Sequence, residues 1–248
     1  MGARRVKVRT QYGCLYDQEI FTIADNKKNL STAKPQERFK TEEERLRHKW
    51  NISRRHHMRL FNANVTPDWL YSTLTMDNDH EVHTFEDARR VRNRYYKRLK
   101  RAFPQAKIFI YMGRGKSTNR IHFHMVSFGV PAEVISKKWI EGKIVRVEPV
   151  RRNNYYNGID CGQDYTGLAN YLFDHWTPEQ GSGHKYQNST NMVQPMRDKP
   201  TEIVRNYTKS SPPRAPKGYR LVGYEDNRFG YMRFTYIKDE PKGRKRRI

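Results

Sequence analysis

Residues 69–76 read WLYSTLTM, residues 107–112 read KIFIYM, residues 120–128 read RIHFHMVSF and residues 143–150 read KIVRVEPV. All four stretches are short and rich in aromatic and β-branched residues, a composition typical of strands. They predict four strands, and the elements between them decide how the strands are arranged.

Two helices are predicted between these strands. After the capping residue Thr84, apolar residues recur at helical spacing as far as Ala102, and Pro104 ends the pattern. A second helix is expected from Pro131, a residue favoured at the first helical position, to Gly142. The order β-α-β-β-α-β is the ferredoxin-like arrangement, which is also that of RNA-recognition motifs (RRMs). We therefore expect an α+β core in which an antiparallel sheet carries both helices on one face, with its first and third strands adjacent at the centre.

The N-terminal residues predict an appendage to this core. Val6–Val8 and Tyr16–Ile23 predict two short strands, and Thr41–Asn62 predicts a helix with a break near Asn51. The first turn of that helix is acidic and the rest is basic, which indicates either a DNA-facing arm or a solvated surface.

The C-terminal residues predict further additions to the core. A helix is expected from about Asp164 to His175, and residues 219–225 and 231–237 predict a hairpin after a long loop. The expected division of the chain is a basic N-terminal appendage (1–61), the core with its additional helix (62–176), a loop and hairpin extension (177–237) and a basic tail (238–248).

The chain carries a strong positive charge. Of its 248 residues, 49 are Lys or Arg and 26 are Asp or Glu, which gives a net charge of +23. Charge spread along most of the chain is typical of a protein that neutralises phosphates, so nucleic acid is the expected partner. Charged residues interrupt every run that approaches the ~20 apolar residues of a membrane-spanning helix, and only two cysteines occur. We expect no membrane partner and a reducing, cytoplasmic compartment.

Two histidines on the third predicted strand are the strongest sign of chemistry. His122 and His124 alternate with apolar residues, so both side chains emerge from one face of the sheet. That face is the one the two helices leave free, and a phosphate backbone can be laid across it. The pair predicts a divalent metal site; the alternative is two surface histidines on a half-exposed strand.

These residues resemble the HUH endonucleases, which initiate rolling-circle replication of phages and plasmids. The triplet His122-Phe123-His124 matches the family's namesake motif, and the sequence YSTLTMD at 71–77 looks like its first motif. The sequence GLANYLFDH at 167–175 looks like its tyrosine helix, and RLFNAN at 59–64 is similar to the approach to its first strand. The resemblance covers roughly residues 62–175.

The resemblance implies an activity and its partners. It makes Tyr171 the nucleophile of a nickase and strand transferase that forms a 5′-phosphotyrosine on single-stranded or hairpin origin DNA with Mg²⁺ or Mn²⁺. Because no complete ATP-binding motif occurs, a host helicase would open the strands and a host polymerase would extend the new end. The expected setting is the cytoplasm of a bacterium that carries a phage, a plasmid or another mobile element.

The spacing of the predicted helix independently favours Tyr171. Leu168, Tyr171, Leu172 and His175 stand at i, i+3, i+4 and i+7 and share one stripe, which places the phenol within reach of the His pair. A metal and nearby cations can then neutralise the phosphoryl charge during attack. Tyr165 is the main alternative nucleophile, the loop residues Tyr155 and Tyr156 are further candidates, and a tyrosine buried in the core is the structural alternative.

Two positions depart from the family's pattern. Many relatives carry an acidic third ligand shortly before the His pair, where this chain has Gly113, and relatives often carry a lysine three residues after the tyrosine, where it has Asp174. The third ligand is therefore open. The candidates, besides water, are Asp77, Glu148, Asp174 and His175.

Basic residues between the second and third strands predict contacts with DNA. The loop over residues 113–119 carries Arg114 and Lys116, and Arg120 follows it. The sequence leaves two other functions open. One is a non-catalytic RRM-like protein that binds RNA or single-stranded DNA through aromatics on the free face, although two same-face imidazoles suit a metal better than base stacking. The other is an HUH transposase with the same chemistry.

Overall fold

The computed structural model describes residues 3–24, 41–115, 118–142, 144–156, 159–160, 162–175, 186–227 and 230–239. The chain forms two compact units. We call residues 64–154 with 165–193 the central unit, and residues 1–63, 155–164 and 194–248 the terminal unit. This grouping differs from the expected four-part division, because the two ends of the chain contribute strands to one sheet.

In chain order, the elements are β1 (Ala3–Tyr12), β2 (Leu15–Ala24), α1 (Glu42–Asn62), β3 (Leu70–Thr75), α2 (Phe85–Ala102), β4 (Lys107–Arg114), β5 (Ile121–Phe128), α3 (Ala132–Lys138), β6 (Ile144–Pro149), β7 (Tyr155–Tyr156), β8 (Ile159–Asp160), α4 (Thr166–Phe173), β9 (Tyr186–Asn188), β10 (Met196–Arg197), β11 (Thr201–Glu202), β12 (Tyr219–Asp226) and β13 (Met232–Lys238). A short 3₁₀ turn lies at Asn78–His80. None of the described helices is long and apolar enough to cross a membrane.

The central unit has the predicted β-α-β-β-α-β core. Its sheet has the order β6-β3-β5-β4-β9 with antiparallel neighbours, so the first and third core strands, β3 and β5, are adjacent. The expectation of an α+β fold is confirmed. β9 extends the sheet from a region that was expected to be mostly loop, because its three residues pair with β4.

One face of this sheet packs against α2 and α3. The helix α2 begins where expected, with the Thr84 hydroxyl accepting a hydrogen bond from the Asp87 amide at 3.1 Å. Alternate strand residues such as Leu74, Ile110 and Phe123 are fully buried against its apolar stripe. The helix α3 ends at Lys138, four residues before Gly142, because the backbone leaves the helical region at Trp139.

The opposite face of the sheet carries an aromatic layer and α4. Phe109 and Tyr111 of β4 are buried on it, and the Tyr186 ring of β9 lies 5.6 Å from that of Tyr111. Phe173 of α4 packs on Tyr186 with 6.4 Å between ring centroids. The helix is shorter than expected, because Tyr165 is its N-cap rather than a helical residue. Burial of Phe173 anchors the helix that carries the candidate tyrosine.

The terminal unit is built on the long hairpin β1–β2. The main path of its sheet has the order β10-β1-β2-β13-β12, and β11 also pairs with β1. The two predicted short strands are thus parts of ten-residue strands, joined by a tight turn in which Gly13 has a φ of +57°. A side chain there would also meet the Asn62 carbonyl oxygen, since an added Cβ would lie 2.2 Å from it.

The helix α1 and the C-terminal hairpin complete the terminal unit. The predicted hairpin is confirmed as β12 and β13. The helix begins after Thr41, whose hydroxyl accepts a hydrogen bond from the Glu44 amide at 3.2 Å. The expected break near Asn51 is wrong: α1 is continuous over 21 residues, because its C-terminal part is anchored by buried side chains such as Met58 and Phe61.

Candidate metal centre and tyrosine site

The two histidines of β5 lie side by side on the face that carries α4. The strand register places His124 beside Thr73 of β3 and His122 beside Gly113 of β4. Their Nε2 atoms are 3.1 Å apart. His124 is buried and His122 is half-buried. The alternation of β5 therefore brings the two imidazoles together as the sequence indicates.

A third histidine completes the group. His175 follows α4, and its ring centroid lies 4.6 Å from that of His124 and 6.0 Å from that of His122. One ligand atom from each of the three imidazoles lies within 4.8 Å of the others, so the group could hold a metal ion. In the described part of the chain this is the only such group of three.

The other third-ligand candidates have different surroundings. The Asp77 carboxylate accepts a hydrogen bond from the His80 amide and contacts the His80 ring at 2.6 Å. Glu148 pairs with Arg146 at 2.8 Å. Asp174 caps α4, its amide donating to the Asn170 carbonyl. Of the four candidates, the structure brings His175 to the His pair.

Gly113 leaves the space that His175 occupies. A Cβ added at this position would lie 2.6 Å from Cδ2 of His175 and 3.0 Å from Nε2 of His122. Carbon atoms do not approach at the first distance without one of them moving. His175 therefore could not keep its present place if position 113 held an acidic residue, as it does in many members of the resembled family.

The Nδ1 atom of each histidine has a partner outside the group. His175 Nδ1 lies 2.7 Å from the Tyr171 carbonyl oxygen, and His122 Nδ1 lies 3.5 Å from that of Arg120. His124 Nδ1 lies 2.7 Å from the Tyr71 hydroxyl. A carbonyl accepts only from an N–H, so in a neutral His175 or His122 that makes this bond the lone pair is on Nε2, and outer partners of this kind are usual for metal-binding histidines.

Burial keeps two of these imidazoles neutral. Desolvation, together with smaller electrostatic contributions from His175 and His122, lowers the pKa of His124 to about 3. Desolvation also lowers the pKa of His122. The hydrogen bond to the Arg120 carbonyl has the opposite, smaller effect on this pKa. Only a neutral imidazole can donate a lone pair to a metal, so the two side chains are in the ligating form at neutral pH.

The two candidate tyrosines occupy contrasting positions. The Tyr171 side chain is 53% exposed, and its ring centroid lies 4.4 Å from that of His175 and 6.0 Å from that of His124. Tyr165 is buried, and its hydroxyl donates to the Arg151 carbonyl at 3.0 Å. Tyr171 is thus the accessible phenol beside the histidines.

The basic residues predicted to contact DNA hold the loop between β4 and β5. Arg114 donates to the carbonyls of Asn119 and His83 at 3.0 and 3.1 Å. Arg120 donates to the Met76 carbonyl at 2.9 Å. Lys116 lies outside the described residues. Contact of these side chains with DNA stays a prediction.

Sequence reasoning missed the role of Tyr71. Its hydroxyl contacts His124, and its ring stacks on that imidazole with 5.7 Å between centroids. The signal was present, because Tyr71 and Thr73 alternate along β3 with Ser72 and Leu74, which are buried. Once β3 is placed beside β5, that alternation puts Tyr71 on the histidine face.

Comparison with protein families finds one match that spans this site. Residues 69–174 match the family described as replication-associated protein ORF2/G2P. The match includes His122, His124 and Tyr171, and ends one residue before His175. It supports a role as a replication initiator. No curated protein and no solved structure matches the chain.

Proposed function

We propose that this protein is a rolling-circle replication initiator of the HUH class, which nicks and rejoins single-stranded DNA through Tyr171. The observation that carries the proposal is the exposed phenol of Tyr171, with its ring 4.4 Å from the His175 ring in the three-histidine group. The family match over residues 69–174 supports the replicative role.

The reaction is a transesterification at phosphorus. The Tyr171 oxygen bonds to the phosphorus of a phosphodiester, and the bond from phosphorus to the 3′ oxygen breaks. The phenol loses its proton, and the departing 3′ oxygen gains one. The products are a 5′-phosphotyrosine and a free 3′-hydroxyl. Attack by that hydroxyl or another one on the phosphotyrosine reverses the step and rejoins the strand.

The histidine group is proposed to hold the divalent ion. His122, His124 and His175 would be its protein ligands, and a bound ion would neutralise developing charge on the phosphoryl oxygens. Imidazole nitrogens are softer ligands than the oxygens Mg²⁺ prefers. Of the two expected ions, Mn²⁺ therefore suits these ligands better.

The protein's own side chains supply the positioning. The Tyr71 hydroxyl and the Thr73 hydroxyl lie 2.7 and 3.4 Å from His124 Nδ1 and fix the orientation of that ring. The hydrogen bond between His175 Nδ1 and the Tyr171 carbonyl couples the third imidazole to the turn of helix that presents the phenol. The same helix thus positions both a ligand and the nucleophile.

An RRM-like function, in which bases stack on this face of the sheet, is less well supported than nicking. An RRM-like protein stacks bases on exposed aromatics of the free sheet face. Here Phe109 and Tyr111 are 0% and 1% exposed. This burial argues against the non-catalytic alternative. A transposase would share the chemistry, and the replication-associated family match favours the initiator.

The proposed reaction needs a replication origin as its substrate and two host enzymes. The substrate would be the single-stranded or hairpin form of a replication origin, opened by a host helicase, and a host polymerase would extend the 3′-hydroxyl. The reaction would take place in the cytoplasm of the bacterium that carries the replicon.

A labelled oligonucleotide tests the nicking reaction. The full chain is incubated with Mn²⁺ and a pool of single-stranded oligonucleotides of random sequence that carry a 3′ fluorophore, and denaturing gels report labelled protein. The 3′ label stays with the fragment whose 5′ phosphate joins the tyrosine. We expect adduct with wild type and with Tyr165→Phe, and none with Tyr171→Phe. Adduct on Tyr171→Phe would assign the reaction to another residue.

A further inference from the structure

A cavity of about 410 Å³ lies in the terminal unit, apart from the histidine group. One wall is α1, through Ile52, Arg55, His56 and Arg59, which stand at i, i+3, i+4 and i+7 and so share one face of the helix. The other walls are Thr10 of β1, Glu19 of β2, and Gln194, Pro195 and Arg197 at β10 and just before it. The volume lies within the range of small-ligand sites, roughly 300–1,000 Å³.

Buried acidic residues hold one of the cavity's arginines. Arg59 donates to Asp17 at 2.6 and 2.9 Å and lies 3.1 Å from Glu19. Glu19 is 4% exposed and also accepts the Tyr231 hydroxyl at 2.6 Å. These carboxylates neutralise Arg59 and fix its side chain. Arg59 therefore lines the cavity but offers no net charge to a ligand.

Two other arginines keep donors for a ligand. Arg55 lies over the Tyr231 ring at 4.7 Å, and its nearest carboxylate, Glu225, is 3.9 Å away. Within the described residues, the Arg55 side chain makes no hydrogen bond. Arg197 donates through one nitrogen to Glu19 at 3.0 Å, and its side chain is 50% exposed. A guanidinium held by stacking with its donors unused is well suited to bind a phosphate.

The cavity also has an apolar part. Ile52 is 48% exposed although it lines the cavity, and Pro195 lies in the wall opposite α1, between Gln194 and Arg197 in the chain. An inorganic anion would use only the arginines. A nucleotide would use both parts, because it combines a charged phosphate with a flat base that packs on apolar surface.

We propose that this cavity binds one nucleotide of single-stranded DNA, with Arg55 and Arg197 on its phosphodiester and Ile52 and Pro195 against its base. The inference rests on the proposed function for the identity of the ligand, since that function supplies single-stranded DNA. The cavity would hold a nucleotide other than the one cleaved, and so contribute to recognition of the origin strand.

Binding without nicking tests the proposal. Fluorescence anisotropy with a 5′-labelled single-stranded oligonucleotide, in EDTA, compares wild type with Arg55→Gln/Arg197→Gln across a salt series. We expect affinity to fall about tenfold, and the slope of log affinity against log salt to fall by about 0.7, since both arginines are proposed to neutralise the same phosphate. A matched control is Arg4→Gln/Arg220→Gln, which removes the same charge from exposed ion pairs with Glu202 and Asp239.

Further comparisons separate the possible outcomes. Arg55→Gln alone removes no side-chain hydrogen bond of the described chain, so it should keep the fold and lower the salt slope by a part of that 0.7, since Arg197 still contacts the phosphate. The proposal would be overturned if Arg55→Gln and Arg55→Gln/Arg197→Gln bound DNA with the affinity and salt slope of wild type. It would also be overturned if Arg4→Gln/Arg220→Gln lost as much affinity as Arg55→Gln/Arg197→Gln. Weakened binding in these variants with no phosphotyrosine adduct in wild type would refute the nicking function alone.

Discussion

Substitution of Gly113 by alanine tests whether His175 belongs to the metal group. The added Cβ would lie 2.6 Å from Cδ2 of His175, whereas ordinary carbon contacts begin near 3.4 Å, so the imidazole must move by about 0.8 Å. Metal ligands tolerate displacements of only a few tenths of an ångström. We therefore expect Gly113→Ala to lower Mn²⁺ affinity by about 10- to 100-fold, the range seen when the support of a ligand is lost.

Titration calorimetry with Mn²⁺ measures this effect, and two further variants control it. Gly167→Ala adds the same methyl group on α4 where no atom lies within 4 Å, and should bind Mn²⁺ as wild type does. In a His175→Ala background the methyl at position 113 no longer meets that imidazole, and only its 3.0 Å approach to Nε2 of His122 remains, so its additional effect should be clearly smaller. If Gly113→Ala binds Mn²⁺ with wild-type affinity, His175 is not a ligand in the position described.

The other predictions concern the support of the site and the stability of the terminal unit. Tyr71→Phe removes the hydroxyl 2.7 Å from His124 Nδ1, so calorimetry should give about tenfold weaker Mn²⁺ binding; unchanged binding would mean that this contact does not orient the ring. His57 is buried and neutral, with a pKa lowered to about 3 by desolvation and by the charges of His56 and Arg54. Because the unfolded chain takes up a proton near pH 6.5 and the folded one does not, His57 should cost about 1.4 kcal/mol of stability per pH unit as pH falls from 6.5 towards 3. Urea unfolding should give a shallower pH slope for His57→Gln than for wild type; equal slopes for the two proteins would contradict this. Arg59→Met leaves the Asp17 carboxylate buried with fewer partners and should cost about 3–5 kcal/mol in urea unfolding, whereas a loss under 1 kcal/mol would show that the ion pair contributes little.

The core of the central unit could be predicted because its burial follows apolar periodicity. Alternate residues of the core strands point to α2 and α3, and the capping residue Thr84 marks the start of α2. The β1–β2 hairpin gave a weaker signal. The central strand β2 buries Asp17 and Glu19, which are stabilised by arginines from distant elements, so its pattern is not apolar. Long-range ion pairs of this kind leave no periodic trace in a sequence.

The candidate site could be predicted in part for a similar reason. Alternation within β5 suffices to pair His122 with His124, since a strand places every second side chain on one face. The choice of His175 among four third-ligand candidates depends on where α4 packs, which the burial of Phe173 determines. Gly113 could be recognised as a departure from the family's pattern, but the space it leaves for His175 became evident only with both elements in place.

Mapping of the DNA-linked peptide tests the central claim most directly. Wild-type protein is incubated with Mn²⁺ and single-stranded DNA, digested with a nuclease and a protease, and analysed by mass spectrometry. The account predicts a nucleotide joined through phosphate to the peptide that contains Tyr171, formed only when the divalent ion is present. A modification on any other residue, or an adduct that forms equally well in EDTA, would contradict it.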